Sequence, residues 1–549
     1  MPGAVLQGWP VPEQQRGSGV PSGLGAPADA AGAEVMADPV GAEPMVDPVG
    51  TERVTPPPAE VDSDTDRPSG SLGTRVSRGL GWSLAGQAVT RVGIFTSGVI
   101  LARLLVPEDM GEVAAGLLVL NVIMAINELG VIPAIVRWTG DVKRATGTAA
   151  TIAFLNSVLM YAIAFVIAPY ISRLTLTPGS TWVIRIMSLS VLVDGLVAVP
   201  LAMLYRRLRV LPQMVAEVLG MLVYVGVAVG LAASGAGPNS IAWGRVLGAT
   251  ATGVILIGAS WWPARPNFDL RTARELLRFG LPLAVSAAVF EAVMSVDYLI
   301  VGRELAGAML GIYLLAFNLS SWPVSVLSMA IGRVSFAGYS ALLGDHERLV
   351  RGFVQSVAVA LSATVPMVLV LGFLSDDVVQ VVYGSVWSGA AAPLRWLLIV
   401  GGLRVLLQMA GELIAVMDRP GVVLRLRFIW LLLLPLALDF GAERLGLAGV
   451  GMAHVAIAAV VMTPLFLWEV KRSGMPLQPL VGTLPRPTLA AMVSLLAMTL
   501  VSPFVAEPAV RLVILGLVGG GSYLAVLLPA NPVVTRTWHQ LRGSQEAAL

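Results

Sequence analysis

From Gly81 to Ala530 the chain is a near-continuous series of apolar runs of about twenty residues, separated by short polar stretches rich in Arg, Gly and Pro. A helix rises about 1.5 Å per residue, so each run is long enough to cross a hydrocarbon core about 30 Å thick. The runs do not alternate polar with apolar, which excludes the strands of a transmembrane barrel. Fourteen spans are predicted, over 81–104, 112–136, 147–171, 181–204, 212–234, 240–262, 280–302, 309–332, 352–375, 392–416, 424–440, 446–468, 488–506 and 510–530. The fold class is an all-α polytopic membrane protein.

Composition agrees: 56% of the 549 residues are hydrophobic and 13% are charged, about half the charged share of a soluble domain. The chain has no cysteine, and its three histidines, His346, His454 and His539, lie far apart. That removes disulfides, thiolate nucleophiles and Cys- or His-ligated metal centres, so no cofactor is expected. Net charge is +2, and nothing in its distribution suggests a nucleic-acid partner. Short-loop Lys and Arg set the orientation. With a cytoplasmic amino terminus, the inner flanks and loops hold 23 basic residues against 6 on the outer side. Both termini are therefore expected in the cytoplasm.

Residues 1–74 differ in kind, being rich in Pro, Ala, Gly and acids with no core-forming run, and disorder is expected there. A short tandem repeat, Met36–Glu43 then Met45–Glu52, reads as a spacer or a low-affinity docking segment. Residues 1–30 lack the charged start and apolar stretch of a signal peptide, so the first span is expected to direct insertion. A second repeat lies at an offset of about 200 residues: Arg78 and Arg278 open spans one and seven, Arg103 and Arg303 close them, and Gly111 and Gly311 precede the next helices. Both copies start on the same side, giving two pseudo-symmetric six-helix bundles related by an axis along the membrane normal, as in transporters that rock two bundles about a central site. The expected organisation is a tail (1–74), an N-lobe (75–262), a linker (263–278), a C-lobe (279–470), a second linker (471–487), two extra helices (488–530) and a tail (531–549).

Four arginines fall inside the spans, four or more residues from either end: Arg91, Arg185, Arg245 and Arg404. At about 2.5–3.5 kcal/mol each, four facing lipid would cost about 10–14 kcal/mol. A wet cavity or acidic partners must receive them, and the acids available include Glu128, Asp194, Glu217, Glu291, Asp297 and Glu412. Helical spacing aligns Arg404, Gln408 and Glu412 on one face, and Ser83, Gln87 and Arg91 on another. Arg91 and Arg404 stand near mid-span; Arg185 and Arg245 lie about one turn from the outer ends of their helices, where snorkelling is the alternative. Glu291 and Asp297 are about 120° apart around their helix, so one of them is expected to be structural. Glu291 occupies the repeat position of Arg91. His454, alone in the twelfth span, suits a helix–helix hydrogen bond. A membrane-depth cavity holding fixed guanidinium groups selects anions, and phosphate matches their paired donors. An amphipathic phospholipid whose tail stays in the bilayer would suit it.

The stretch Ala102-Arg-Leu-Leu-Val-Pro-Glu-Asp-Met-Gly111, with Gly81-Trp82 before it and Glu128-Leu-Gly130 after it, resembles the signature of Wzx-type polysaccharide flippases of the multidrug/oligosaccharidyl-lipid/polysaccharide exporter superfamily. Phe279-Gly-Leu-Pro282, Gly302-Arg303, Gly311-Ile-Tyr313 and Gly332-Arg333 repeat the resemblance in the second half. It covers roughly residues 75–470. The resemblance implies alternating access between two lobes that turn a polyprenyl-pyrophosphate-linked oligosaccharide to the outer leaflet, with no enzymatic step. By that likeness Arg91 and Arg404, then Arg185 and Arg245 with Gln87 and Gln408, would bind substrate; Glu128, Glu291, Asp297, Glu412 and Asp194 would be candidates for proton or sodium coupling. Polysaccharide-assembly proteins would be partners through the tail. The tail and the last two helices exceed the usual twelve-helix plan, and extra terminal helices also occur in lipid II flippases. Lipid II flipping and cation-coupled small-molecule or drug export are the alternatives within transport. A membrane glycosyltransferase or polymer ligase would need a large outer loop with catalytic residues, whereas the longest here, around Ser375–Ala391, offers only Asp376 and Asp377 as charged groups. A channel-like or scaffold role fits the buried charges poorly.

Overall fold

The computed structural model describes residues 72–127, 129–207, 209–260 and 267–530. The amino-terminal tail to residue 71, Glu128, the first part of the inter-lobe linker and the tail 531–549 lie outside the described residues. In order, the helices are α1 (Leu72–Leu104), α2 (Pro107–Asn127), α3 (Val131–Val136), α4 (Val142–Leu174), α5 (Ser180–Arg206), α6 (Val210–Ala233), α7 (Asn239–Ser260), α8 (Leu270–Leu305), α9 (Gly307–Ala341), α10 (His346–Phe373), α11 (Ser375–Val378), α12 (Ala391–Val416), α13 (Pro420–Ala456), α14 (Thr463–Arg472), α15 (Gln478–Val481), α16 (Pro485–Val501) and α17 (Pro508–Ala530). No strand occurs among the described residues.

Eleven of these segments are long and apolar enough to cross a membrane. One, Gly421–Arg472, is 52 residues long and carries two of the expected spans. They meet at Gly446, which has φ 58° and ψ −141°, a conformation that glycine adopts without the Cβ penalty. The expected loop at 441–445 is therefore helix with one break. A second departure lies in the span expected over 112–136: Leu129 and Gly130 take positive φ and split it into α2 and α3. Spans expected at 81–104 and 309–332 are the apolar parts of α1 and α9.

Helix starts on the basic side carry aspartate caps. Asp141 accepts from the Lys143 amide at 2.9 Å, Asp345 from the Arg348 amide at 3.0 Å, and Asp269 from the Thr272 amide at 2.9 Å. Each satisfies donors that the first helical turn leaves without partners. Asp269 stands outside the spans, and the Thr272 hydroxyl and amide, with Arg144 beside them, hold its carboxyl below the ordinary aspartate range.

The first bundle packs α4, α5, α6 and α7 on one another, with α1 on α6. Gly86 and Gly93, seven residues apart, admit Met214 and Met221 of α6; a Cβ on Gly93 would stand 2.6 Å from the Met221 methyl. The second bundle packs α8, α9, α10, α12 and α13 around Leu310, Leu413, Ile414 and Leu434. The bundles meet where α2 lies against α8 and α9. There a Cβ on Gly111 would stand 2.7 Å from the Gly307 carbonyl carbon, and one on Gly311 would stand 3.0 Å from that of Pro107. The pairs 107/307 and 111/311 are repeat mates, so the contact is made twice by the same offset. Beside it the Trp387 indole donates to the Ala102 carbonyl at 2.7 Å, and Arg103 donates to the Val381 and Val382 carbonyls at 2.6 and 3.0 Å. At the other end of α2, Gly130 meets Gly280 of α8, a Cβ on Gly130 falling 2.7 Å from the Gly280 Cα. Helices α16 and α17 pair with each other and lean on α10, and Arg511 of α17 reaches Asp377 at 3.3 Å.

Candidate functional site

Arg91, Arg185, Arg245 and Arg404 form no ion pair with any acid among the described residues. Each reaches a different environment. Arg91 is half-buried on α1 and has neither an ion-pair nor a hydrogen-bond partner among the described residues. Arg185 lies 3.9 Å from the centre of the Phe165 ring and 5.2 Å from that of Trp182, with Nε 3.4 Å from the Phe165 carbonyl. Trp182 is exposed, and Arg185 packs on aromatic rings rather than on an acid. Arg245 is half-buried on α7 and interacts electrostatically with the Tyr224 hydroxyl of α6.

Arg404 enters the second bundle instead. Its guanidinium lies 5.7 Å from the Phe317 ring centre, its buried Nε has no hydrogen-bond partner, and its charge acts on Asp297, Tyr298 and Tyr313. Asp297 is buried; its Oδ2 accepts from the Tyr313 hydroxyl at 2.7 Å, and Oδ1 accepts from the Tyr298 amide at 3.0 Å. Tyr298, Tyr313 and Phe317 pack with ring centres 5.7–6.1 Å apart, close to the tilted and edge-on geometries aromatic pairs favour. Below Arg404, Gln408 donates to Glu412 Oε1 at 3.0 Å, while Glu412 Oε2 is buried without a partner. Glu291 is half-buried one and a half turns from Asp297. Only Asp297 of this pair enters the aromatic cluster.

The first bundle builds a separate polar knot. Asn127 donates to Asp194 Oδ2 at 2.9 Å; its own side-chain oxygen accepts from Ser157 at 3.0 Å and from Asn156 at 3.2 Å. Asp194 thus meets the Asn127 amide rather than an arginine. Glu217 likewise accepts from Gln213 at 2.8 Å. The structure therefore places Arg404 within electrostatic reach of Asp297 and joins Gln408 to Glu412, but leaves Arg91, Arg185 and Arg245 apart. Tyr313, Phe317, Asn127 and Ser157 were absent from the sequence-derived site. Tyr313 was visible only as part of the Gly311-Ile-Tyr313 motif, and the others only as an aromatic, amide or hydroxyl group, which apolar helices carry for many reasons.

Two repeated helical bundles, closed on each other through paired glycines, define a multi-pass membrane protein of the two-lobed transporter fold. The chain belongs to the polysaccharide biosynthesis protein family, whose sequence pattern it matches over residues 100–392. It is 28% identical over 320 residues to the succinoglycan biosynthesis transport protein ExoT of Rhizobium meliloti (strain 1021), covering 57% of this chain and 64% of the relative. It is 28% identical over 204 residues to the teichuronic acid biosynthesis protein TuaB of Bacillus subtilis (strain 168), covering 36% of this chain and 41% of the relative. The matches thus span less than two thirds of these relatives' lengths. In fold it is similar to the lipid II flippase MurJ in an inward closed conformation, with a TM-score of 0.69 over 81% of this chain and 97% of that one, at 15% identity.

Proposed function

We propose that the protein turns a polyprenyl-pyrophosphate-linked oligosaccharide from the cytoplasmic to the outer leaflet of the bacterial cytoplasmic membrane, for surface polysaccharide assembly, by alternating access between its bundles. The observation that carries this is Arg91: a half-buried mid-span guanidinium with no ion-pair or hydrogen-bond partner among the described residues, in a chain of a polysaccharide biosynthesis family. A cation held there without a partner is costly unless an anion visits it. The pyrophosphate supplies paired oxygens that suit a guanidinium fork. Arg404, with its unpaired Nε, offers the second contact across the bundles; Gln87 and Gln408 border the two arginines on the same helix faces, and Arg185 and Arg245 attract the headgroup from the outer end. The protein carries its cargo unaltered. Both termini face the cytoplasm, where residues 1–74 tether assembly proteins.

The test is translocation in vesicles holding the purified protein and a polyprenyl-pyrophosphate oligosaccharide, read as protection of the sugar from an enzyme confined to one side. Loss of protection at a rate above that of protein-free vesicles is expected. Rates equal to protein-free vesicles, with lipid II moved in their place, would assign the fold to peptidoglycan precursor transport instead.

A further inference from the structure

The opening turns of α8 present different faces to different surroundings. Thr272, Ala273, Leu276 and Gly280 are buried, and Ala273 and Leu276 pack with Ala149 and Ile152 of α4. Arg271, Arg274 and Arg278 follow one another at three and four residues, so they form one stripe on the exposed side. Beside it runs an exposed apolar stripe of Leu270, Leu277 and Leu281. Large apolar side chains left open next to a row of arginines suit a helix start held at the level of lipid headgroups.

Two recesses open on this stretch, and they share two of its arginines. The larger, of about 840 Å³, is lined by Ile152 of α4, by Leu270, Leu277 and Leu281, and by Arg274 and Arg278. That is the size of clefts that hold small organic ligands. The smaller, of about 550 Å³, is lined by Leu270, Arg271, Arg274, Glu275 and Arg278. An apolar recess and a basic one therefore meet along Arg274 and Arg278. The frame around them is tied to α4. Asp269 accepts from the Arg144 guanidinium at 2.9 Å, its amide donates to the Thr148 hydroxyl at 3.2 Å, and the Thr151 hydroxyl donates to the Asn267 carbonyl at 3.2 Å. The three arginines have no such ties: among the described residues none of them makes an ion pair or a hydrogen bond, with Glu275 or with any other group.

We infer that this cleft binds one anionic phospholipid from the leaflet on the basic side of the membrane, with its phosphate between Arg274 and Arg278 and an acyl chain along Ile152, Leu277 and Leu281. Charge and shape choose the occupant together. Three guanidinium groups against one acid call for net negative charge, and their forks match phosphate oxygens in pairs. A free anion would leave the apolar recess empty, whereas a lipid fills both. The site stands apart from Arg91 and Arg404 and does not rest on the flippase reading. One wall is α4 of the first bundle and the other is α8 of the second, so the lipid stabilises the arrangement of bundles in which the cleft exists.

The test is native mass spectrometry of the full-length protein titrated with phosphatidylglycerol or with phosphatidylcholine. One phosphatidylglycerol should be retained in preference to phosphatidylcholine. Replacing Arg274→Gln and Arg278→Gln together should weaken that binding by about tenfold to a hundredfold; both side chains are exposed and without partners, so the fold survives. Leu277→Gln should weaken it as well, because the acyl chain loses its apolar wall. Arg348→Gln with Arg351→Gln removes the same charge from exposed positions at the start of α10 and should leave the binding unchanged. Equal losses in the two double variants would reduce the effect to diffuse attraction toward a basic surface and overturn the site. So would equal retention of the two lipids, or binding that Arg274→Gln with Arg278→Gln does not change. Displacement of phosphatidylglycerol by inorganic phosphate, with Leu277→Gln behaving as wild type, would assign the arginines to a free anion. Displacement by equimolar polyprenyl pyrophosphate would make the cleft a cargo site, and either result overturns the phospholipid assignment.

Discussion

Replacing Gly111 by Ala should pry the bundles apart at their outer contact. The new Cβ would stand 2.7 Å from the Gly307 carbonyl carbon and 3.3 Å from its Cα. Carbon atoms rest at about 3.5–4.0 Å, so α2 and α9 must separate by about 1 Å, because backbone on the far side cannot rotate away. Overpacking of this kind costs about 1–3 kcal/mol. Alanine also gains about 0.8–1 kcal/mol over glycine in helix propensity, but α2 is helical whether the bundles touch or not, so that gain cancels in the equilibrium between them. The ratio of separated to apposed bundles should rise about 5- to 150-fold. The chain has no native cysteine, which makes the measurement clean: Glu108→Cys and Met309→Cys place spin labels at exposed positions on the two helices, and pulsed dipolar spectroscopy reads the distance distribution. Gly98→Ala is the control, since nothing lies within 4 Å of a Cβ there. A distribution for Gly111→Ala that overlays wild type would refute the idea that this contact governs closure.

Arg419→Ala removes hydrogen bonds of 2.9 Å to both Glu469 and Ser473 and strands Glu469, whose side chain is 7% exposed. Breaking a fully buried pair costs about 3–5 kcal/mol, and the partial exposure of Arg419 reduces that to about 1–3 kcal/mol. Thermal unfolding in nanodiscs should show the loss, and Glu469→Gln alongside should recover part of it. Asp269 gives a pH dependence. Its carboxyl is held below the ordinary range, chiefly by Thr272, so the cap is fully present above the usual aspartate pKa and is lost as pH falls through the depressed folded value. Amide-exchange protection at Thr272 should vanish over that acid range in wild type and be insensitive to acid in Asp269→Asn.

The spans were legible because burial in a bilayer is written locally, in about twenty apolar residues at a time. What failed was fine structure decided by one or two residues. Glu443 and Arg444 announced an interruption before Gly446, but as a loop over 441–445 rather than as one glycine within continuous helix, and α2 stops at Leu129 and Gly130 because of backbone angles that the hydrophobic pattern does not encode. Local spacing also anticipated the Gln408–Glu412 bond. The approach of His454 Nε2 to 3.8 Å from Asp297 Oδ2 could not be foreseen: the two residues are distant in sequence, and their meeting depends on α8 packing against α13. The same limit applied to Arg404, whose helical stripe was visible but whose turn toward the aromatic cluster was not. The Gly111 and Gly311 repeat was visible as a period; that each glycine meets the backbone opposite the other's own helix start is a fact of tertiary packing.

The most direct measurement is equilibrium binding of a polyprenyl pyrophosphate to the full-length protein, compared among wild type, Arg91→Ala and Arg91→Lys. A charge-assisted hydrogen bond contributes about 1.5–3 kcal/mol, so Arg91→Ala should weaken binding by roughly tenfold to a hundredfold, with Lys recovering part of the loss and an uncharged polyprenol binding equally weakly to all three. Equal affinity of wild type and Arg91→Ala for the pyrophosphate would contradict a cation kept at membrane depth to receive it.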